Sequence, residues 1–307
     1  MVDFRNLIDL QLEIFLFMAL GYFFNKKGII TSKARKSLTD IVIYLVLPAN
    51  IIYSFMIEMN MEIIRSGMII FLVSLGIQIF CDLISRFIYP GTNCDQQKVL
   101  KYATICSNAG FMGSPLVQGI YGAQGLLYAS IYLIPQRIVM WSSGIACFSS
   151  KSKKDVVKKV LTHPCIIAVV IGMILMMTQM SLPSFLVKTI TATSNCNLFL
   201  SMIVIGGILA EIDFRSVLSK LTIYFSFLRL IVIPCIVLVV CVLLHLPPLV
   251  CAVASVLSGM PAGTTTAILA EKYDCDASLA VRLVFLSTIL SLFTIPMLCL
   301  IVEWLVA

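Results

Sequence analysis

The sequence predicts an all-α polytopic membrane protein: ten transmembrane helices in a 5+5 inverted repeat, with helices four and nine broken. Three observations carry that prediction. The 307 residues are 60% hydrophobic and 12% charged, with a mean hydropathy of +1.04, whereas charged residues alone approach roughly a quarter of a soluble domain. Apolar runs long enough to cross about 30 Å of hydrocarbon recur along the whole chain between short polar connections, which implies helices rather than a barrel. Two polar, helix-breaking islands, Ser107 to Pro115 and Ser258 to Thr266, interrupt the fourth and ninth of those runs.

In order, the runs lie near 7–24, 38–57, 64–88, 99–118, 124–147, 164–180, 185–209, 217–244, 248–270 and 277–305. Met1 to Arg5 lacks the basic region and cleavage site of a signal peptide, so the first run reads as a retained span. Lys26-Lys27-Gly28, Tyr89-Pro90-Gly91, His163-Pro164, Leu182-Pro183 and Leu246-Pro247-Pro248 punctuate the helix ends. The basic loop 148–163 divides the spans into a first repeat, 1–150, and a second, 151–307. Five spans in each half force the second half to enter the membrane from the opposite side, so the repeat is expected to be inverted.

Charge sets the orientation. Connections after odd-numbered spans carry Lys26, Lys27, Lys33, Arg35 and Lys36, then Arg86, Lys98 and Lys101, then five lysines from Lys151 to Lys159, then Arg215, Lys220 and Lys272. The other side has only Arg5, Arg65 and Lys188. The positive-inside rule makes the basic side cytoplasmic, with both termini outside, in a multi-pass protein of the cell membrane. The net charge of +7 is then that of orienting loops beside anionic lipid and needs no nucleic-acid partner.

Little points to catalysis or metal binding. Cys81, Cys106, Cys235, Cys241 and Cys299 lie inside apolar runs as small core side chains, no Cys-x-x-Cys occurs, and His163 and His245 stand at helix ends. No nucleophile elbow, Walker loop or His/Cys/Asp cluster is present, so the chain is expected not to be an enzyme and to need no cofactor.

The islands carry the functional expectation. Asn108, Gly110, Gly113 and Pro115 occupy span four; Gly259, Pro261, Gly263 and Thr264 occupy span nine, its ordinal counterpart. Non-helical backbone at membrane depth survives only against protein or a water-lined cavity. The half-helix N-terminus beyond such a break aims free N–H groups and partial positive charge at the gap, which suits a carboxylate. A single island reads equally well as a kink or a close helix contact; two in matched spans favour a solute site.

Other polar residues at depth are weighed the same way, because an ionisable group there costs at least about 2.5–3.5 kcal/mol. Arg137, beside Gln136 in span five, is a counter-charge for an anionic solute or the partner of a carboxylate or carbonyl. Arg229 in span eight is expected to snorkel, as is Arg282. Asp82 and Arg86, four residues apart, form an ion pair. Pro48 breaks span two, where Asn50 offers an amide to the same cavity. Gly206-Gly207 in span seven serves solute contact or close helix packing, and Thr294-Ile295-Pro296 is a kink.

The segments Asn108-Ala-Gly-Phe-Met-Gly-Ser-Pro115, Gly206-Gly-Ile-Leu-Ala210, Arg229 through Pro234, Met260-Pro-Ala-Gly263, Ala270-Glu-Lys-Tyr273 and Thr294-Ile-Pro296 together resemble the auxin efflux carrier family, in order and over nearly the whole chain. The short loops are similar to those of bacterial members described as malate or malonate permeases. The resemblance implies crossing near Pro115 and Pro261, and an elevator in which spans 3–5 and 8–10 slide against a scaffold of spans 1, 2, 6 and 7. A homodimer through the scaffold helices is part of the same expectation. The family's asparagine falls on Asn108 and its span-five glutamine on Gln136. The charged pair that plant members carry early in span three has no counterpart around Ser66 to Ile70, which argues against auxin as the solute.

The function expected is secondary transport of small organic anions, mono- or dicarboxylates, by alternating access. Asn108, Gly110 and Pro115, with Met260, Pro261, Ala262, Gly263 and Thr264, form the central site, lined by Gln136, Arg137 and Asn50. Coupling to Na⁺ or H⁺ stays open. The alternatives are a cation/proton antiporter, which needs a buried acid absent from 104–118 and 255–268, and a non-transporting sensor or channel-like protein.

Overall fold

The computed structural model describes residues 4–58, 60–140, 162–210, 217–273 and 275–306. The basic loop 148–163, apart from Thr162 and His163, lies outside the described residues, as does Arg215. Among the described residues the chain is all-helical, with no strand beyond one isolated backbone bridge.

Helices fall on each apolar run. They are α1 (Phe4–Lys26), α2 (Ser32–Phe55), α3 (Met61–Ile84), α4 (Cys94–Ile105), α5 (Ser114–Val139), α6 (Pro164–Thr178), α7 (Ser184–Leu209), α8 (Lys220–Leu243), α9 (Pro248–Ser258), α10 (Thr265–Lys272) and α11 (Ala277–Val306). By length and composition α2, α3, α7, α8 and α11 can each cross a membrane, and α6 and α9 are shorter apolar helices. Leu12, Phe15, Met68, Leu72, Leu243, Phe293 and Trp304 stand exposed around the periphery. So much exposed apolar surface suits lipid and not water, and the protein is a multi-pass membrane protein.

Runs four and nine are the divided ones: α4 and α5 flank the first island, and α9 and α10 the second. Run five has no helix of its own start. The chain passes from the second half of run four into run five at Gly122, whose φ of 66° and ψ of −155° interrupt α5. Only glycine adopts that conformation without strain, so the turn is written into the sequence at that residue.

Proline shapes three other helices in one way. Residues 42–46, 109–113 and 228–232 are wide π turns, and each is followed within two residues by Pro48, Pro115 or Pro234. A proline lacks the N–H for its own helical bond, and its ring crowds the carbonyl four residues back, here Tyr44, Phe111 or Leu230. The widened turn relieves both, as Leu47, Ser114 and Ile233 donate instead to Val42, Ala109 and Leu228, five residues back. The break expected at Pro48 is therefore a bulge, and α2 continues through it.

Helix α1 packs along α7, and α2 packs on α6 and α7; α3 lies on α5; α9 contacts α3, α5, α8 and α11. The α1–α7 contact is backbone against backbone. A Cβ added at Gly206 would collide with the Met18 carbonyl, and one added at Gly21 with the Ile203 carbonyl. Close packing is thus the role of Gly206, through the small-residue contact that membrane helices use in place of a hydrophobic drive. The core sits around the short helices: every residue of α9 from Val250 to Ser258 is buried, apolar all round, as a helix enclosed by others must be.

Candidate functional site

Where α4 ends, Cys106 turns extended, at φ −104° and ψ 99°, and the two islands meet. The Asn108 N–H donates to the Pro261 carbonyl at 2.8 Å, and the Gly263 N–H donates to the Cys106 carbonyl at 3.0 Å. Ser107 and Ala262 therefore form a single antiparallel bridge. Each break supplies the hydrogen bonds that the other cannot make within its own helix, which is how unwound backbone is tolerated at membrane depth. The backbones cross at Ser107 and Ala262. Pro115 sits further on, buried in the first turn of α5, and Gly113 packs on Leu257 and Met260.

Side chains brace the crossing. Arg229, 3% exposed, donates from Nε to the Met260 carbonyl at 3.0 Å and from Nη1 to the Thr104 carbonyl at 2.9 Å. It does not snorkel. The C-terminal ends of α4 and α9 converge here with their free carbonyls and partial negative charge, and one buried guanidinium satisfies both. Gln136 Nε2 donates to the Ser107 carbonyl at 2.7 Å, and Ser107 Oγ donates to Gln136 Oε1 at 3.3 Å. Ser287 Oγ accepts the Ala262 N–H at 3.1 Å, and the Tyr102 hydroxyl donates to Thr265 Oγ1 at 3.2 Å.

Beside the crossing lies a cavity of about 80 Å³. Its lining brings together Asn108, Gly110, Gln136, Arg137, Gly263 and Thr264, six of the residues expected from sequence. Pro115, Met260, Pro261 and Ala262 are outside the lining: Met260 to Ala262 are backbone of the crossing, and Pro115 lies in the first turn of α5. Asn50 lies elsewhere: its Nδ2 donates to Gln118 Oε1 at 3.1 Å and to Ser194 Oγ at 2.8 Å, tying α2 to α5 and α7. Phe111, Met140, His163 and Cys165 also belong to the lining and carry no sequence signal for it, being ordinary apolar or capping residues; the His163 Nδ1 accepts the Cys165 N–H at the start of α6.

Asn108 Nδ2 and Arg137 Nη1 are buried and have no hydrogen-bond partner among the described residues, and Arg137 is only 5% exposed. A buried donor left unpaired costs about 1–3 kcal/mol, and more if charged. Among the described residues no Asp or Glu lines the cavity, so its side-chain charge is positive. No group of three or more His, Cys, Asp or Glu able to hold a metal occurs among the described residues.

A crossing of two unwound helices around a small cationic cavity is the construction of a carrier. A family model described as membrane transport protein, that of the auxin efflux carriers, matches residues 7–159 and 151–299. The chain belongs to this family. An uncharacterized transporter of Methanocaldococcus jannaschii is 24% identical over 304 residues, spanning 94% of this chain and 97% of the relative. An uncharacterized transporter of Methanothermobacter thermautotrophicus is 25% identical over 299 residues, spanning 96% and 98%. The resemblance read from Asn108 to Pro115 and Met260 to Gly263 is therefore family membership, and the protein is a membrane transporter.

In this auxin efflux carrier relative a second, larger cavity of about 620 Å³ adjoins the first. Phe111 and Thr264 belong to both linings, while Arg35 and Lys36 of α2 and Ile208 of α7 wall only the larger one. The Arg35 Nη1 donates to the Gly207 carbonyl at 3.3 Å. On the same face of the sequence, Asp82 pairs with Arg86 at 2.6 Å, as expected, and also with Lys101 at 3.2 Å, linking α3 to α4.

Proposed function

We propose that this transporter carries small organic anions, mono- or dicarboxylates, as a secondary carrier working by alternating access. The observation that carries the reading is the pair of unpartnered buried donors, Asn108 Nδ2 and Arg137 Nη1, in one cavity that no carboxylate lines among the described residues. A carboxylate accepts from both at once, and a charge-assisted bond to a guanidinium is among the strongest available to a small solute. The backbone N–H groups at the start of the turn 109–113, which leads into α5, and at the start of α10 add partial positive charge on either side of the crossing.

The mechanical part of the proposal is an elevator within a 5+5 inverted repeat. Spans 3–5 and 8–10 form the transport domain, and spans 1, 2, 6 and 7 form the scaffold. Packing supports that division: α1 lies on α7, α2 lies on α6 and α7, and α9 holds α3, α5, α8 and α11 together around the crossing. The basic connections, Lys26 to Lys36 among them, mark the cytoplasmic side, with both termini outside.

Purified protein melted in detergent against a panel of mono- and dicarboxylates, with and without Na⁺, tests the reading. Ligand bound to the native state raises the melting temperature with concentration, by about 2.7 kcal/mol of added stability at a hundredfold excess over Kd. The expected result is a rise for at least one carboxylate that Asn108→Ala abolishes while the variant stays folded. No rise for any carboxylate, or an unchanged rise in Asn108→Ala, sinks it.

A further inference from the structure

We propose that the larger cavity is the antechamber of the solute site on the basic side of the membrane, in which Lys36 collects the anion and Phe111 is the partition it passes. The inference rests on the organic-anion reading of the smaller cavity and adds two residues to it, one governing capture and one governing size.

The two cavities are neighbours with a shared wall. Phe111 and Thr264 are the residues common to both linings, one from each island. Phe111 sits in the wide turn 109–113 that precedes Pro115, directly after the unwound residues of the crossing. Its neighbour Gly110 also lines the small cavity, and a Cβ built there meets nothing within 4 Å. Phe111 thus borders both cavities, and the space beside its neighbour Gly110 is open.

The charge of the antechamber comes from α2. The segment Ser32–Ile41 has no buried residue, and Thr31 caps it by accepting the Ala34 N–H. Arg35 reaches α7 through the Gly207 carbonyl and fixes this end of α2 against the scaffold. Lys36, next to it, is exposed and lines the cavity together with Ser32 and Thr39, and no Asp or Glu stands among the described lining residues. A lysine at the mouth of an enclosed, low-dielectric cavity raises the local concentration of anions, and does so less as salt is added. A lysine serving only to orient the helix in the membrane has no such effect on a solute.

The test is radiolabelled carboxylate flux into proteoliposomes of known orientation, using a carboxylate that stabilises the wild-type protein. Lys36→Gln is expected to raise KM about three- to tenfold for solute offered on the Lys36 face, with little change in kcat, and to flatten the salt dependence of KM. Lys36→Arg should restore both, and KM for solute offered on the opposite face should not move. Phe111→Ala is expected to admit bulkier carboxylates that the wild type excludes, with the small substrate still carried. An unchanged KM in Lys36→Gln and Lys36→Glu overturns the capture role, and unchanged size selection in Phe111→Ala overturns the partition; both leave the organic-anion reading standing if Arg137→Gln still abolishes flux. Absence of Arg137-dependent flux for every carboxylate overturns both readings together.

Discussion

Arg229 donates its Nε–H to the Met260 carbonyl at 3.0 Å while its Nη1 holds the Thr104 carbonyl at 2.9 Å, so one buried cation closes the C-terminal ends of both half-helices. Arg137 is buried to a similar degree and has an unpartnered Nη1. The two arginines therefore predict opposite behaviour on substitution.

Arg229→Met leaves two buried carbonyls without a donor and is expected to lower stability by about 2–5 kcal/mol. Arg229→Lys, which reaches one carbonyl as a point charge, falls between. Thermal unfolding and size-exclusion profiles in detergent check this; a Met variant as stable as wild type removes Arg229 from the role of brace.

Arg137→Gln removes a guanidinium whose Nη1 has no hydrogen-bond partner among the described residues. Stability is expected to be unchanged or raised, while carboxylate affinity falls about 10- to 100-fold, the loss of a charged hydrogen bond of about 1.5–3 kcal/mol. Calorimetric titration beside the melting curve reads both. A variant that binds normally, or one that unfolds, contradicts the assignment.

Asn50 separates two readings of the same residue. Its bond to Gln118 on α5 crosses the boundary between the proposed transport and scaffold domains, while its bond to Ser194 on α7 stays within the scaffold. As an interlock that must open when the transport domain slides, Asn50→Ala changes kcat and leaves KM within about twofold. A large KM change with kcat preserved would restore it as a solute contact.

Gly206 lies against the Met18 backbone with no room for a Cβ. Gly206→Ala is expected to cost about 1–3 kcal/mol, because backbone on both sides has to move apart. Gly207, whose added Cβ would meet the flexible Arg35 side chain at 3.4 Å and the Ile30 side chain at 3.9 Å, both ordinary contacts, is expected to accept alanine at little cost. Paired melting temperatures decide it; equal effects at the two glycines would contradict the contact.

Much of this was legible in the residues. The membrane class follows from composition and run length, since hydrocarbon leaves a helix no alternative to internal hydrogen bonding. The places where helices break follow from Gly122 and from the clustered Gly, Pro and polar residues of Ser107 to Pro115 and Ser258 to Thr266, because those types cannot hold an uninterrupted ladder. Family membership was readable from the same two segments.

Which side chains face the cavity was not legible, because that depends on the rotation of one helix against another. Arg137 and Arg229 are the same residue type at similar depth in apolar surroundings. The convergence of α4 and α9 distinguishes them, by giving Arg229 two carbonyls while Arg137 Nη1 has no partner among the described residues. The crossing itself falls at Ser107 and Ala262, ahead of Pro115, because the extended residues, and not the proline, are free to pair. Phe111 reads in sequence as one more apolar residue; its position between two cavities exists only once both islands have met. Local chemistry thus determined where the helices give way, and tertiary packing decided which groups were left unpaired at the place they give way, since satisfaction of a buried donor is a property of its neighbours in space.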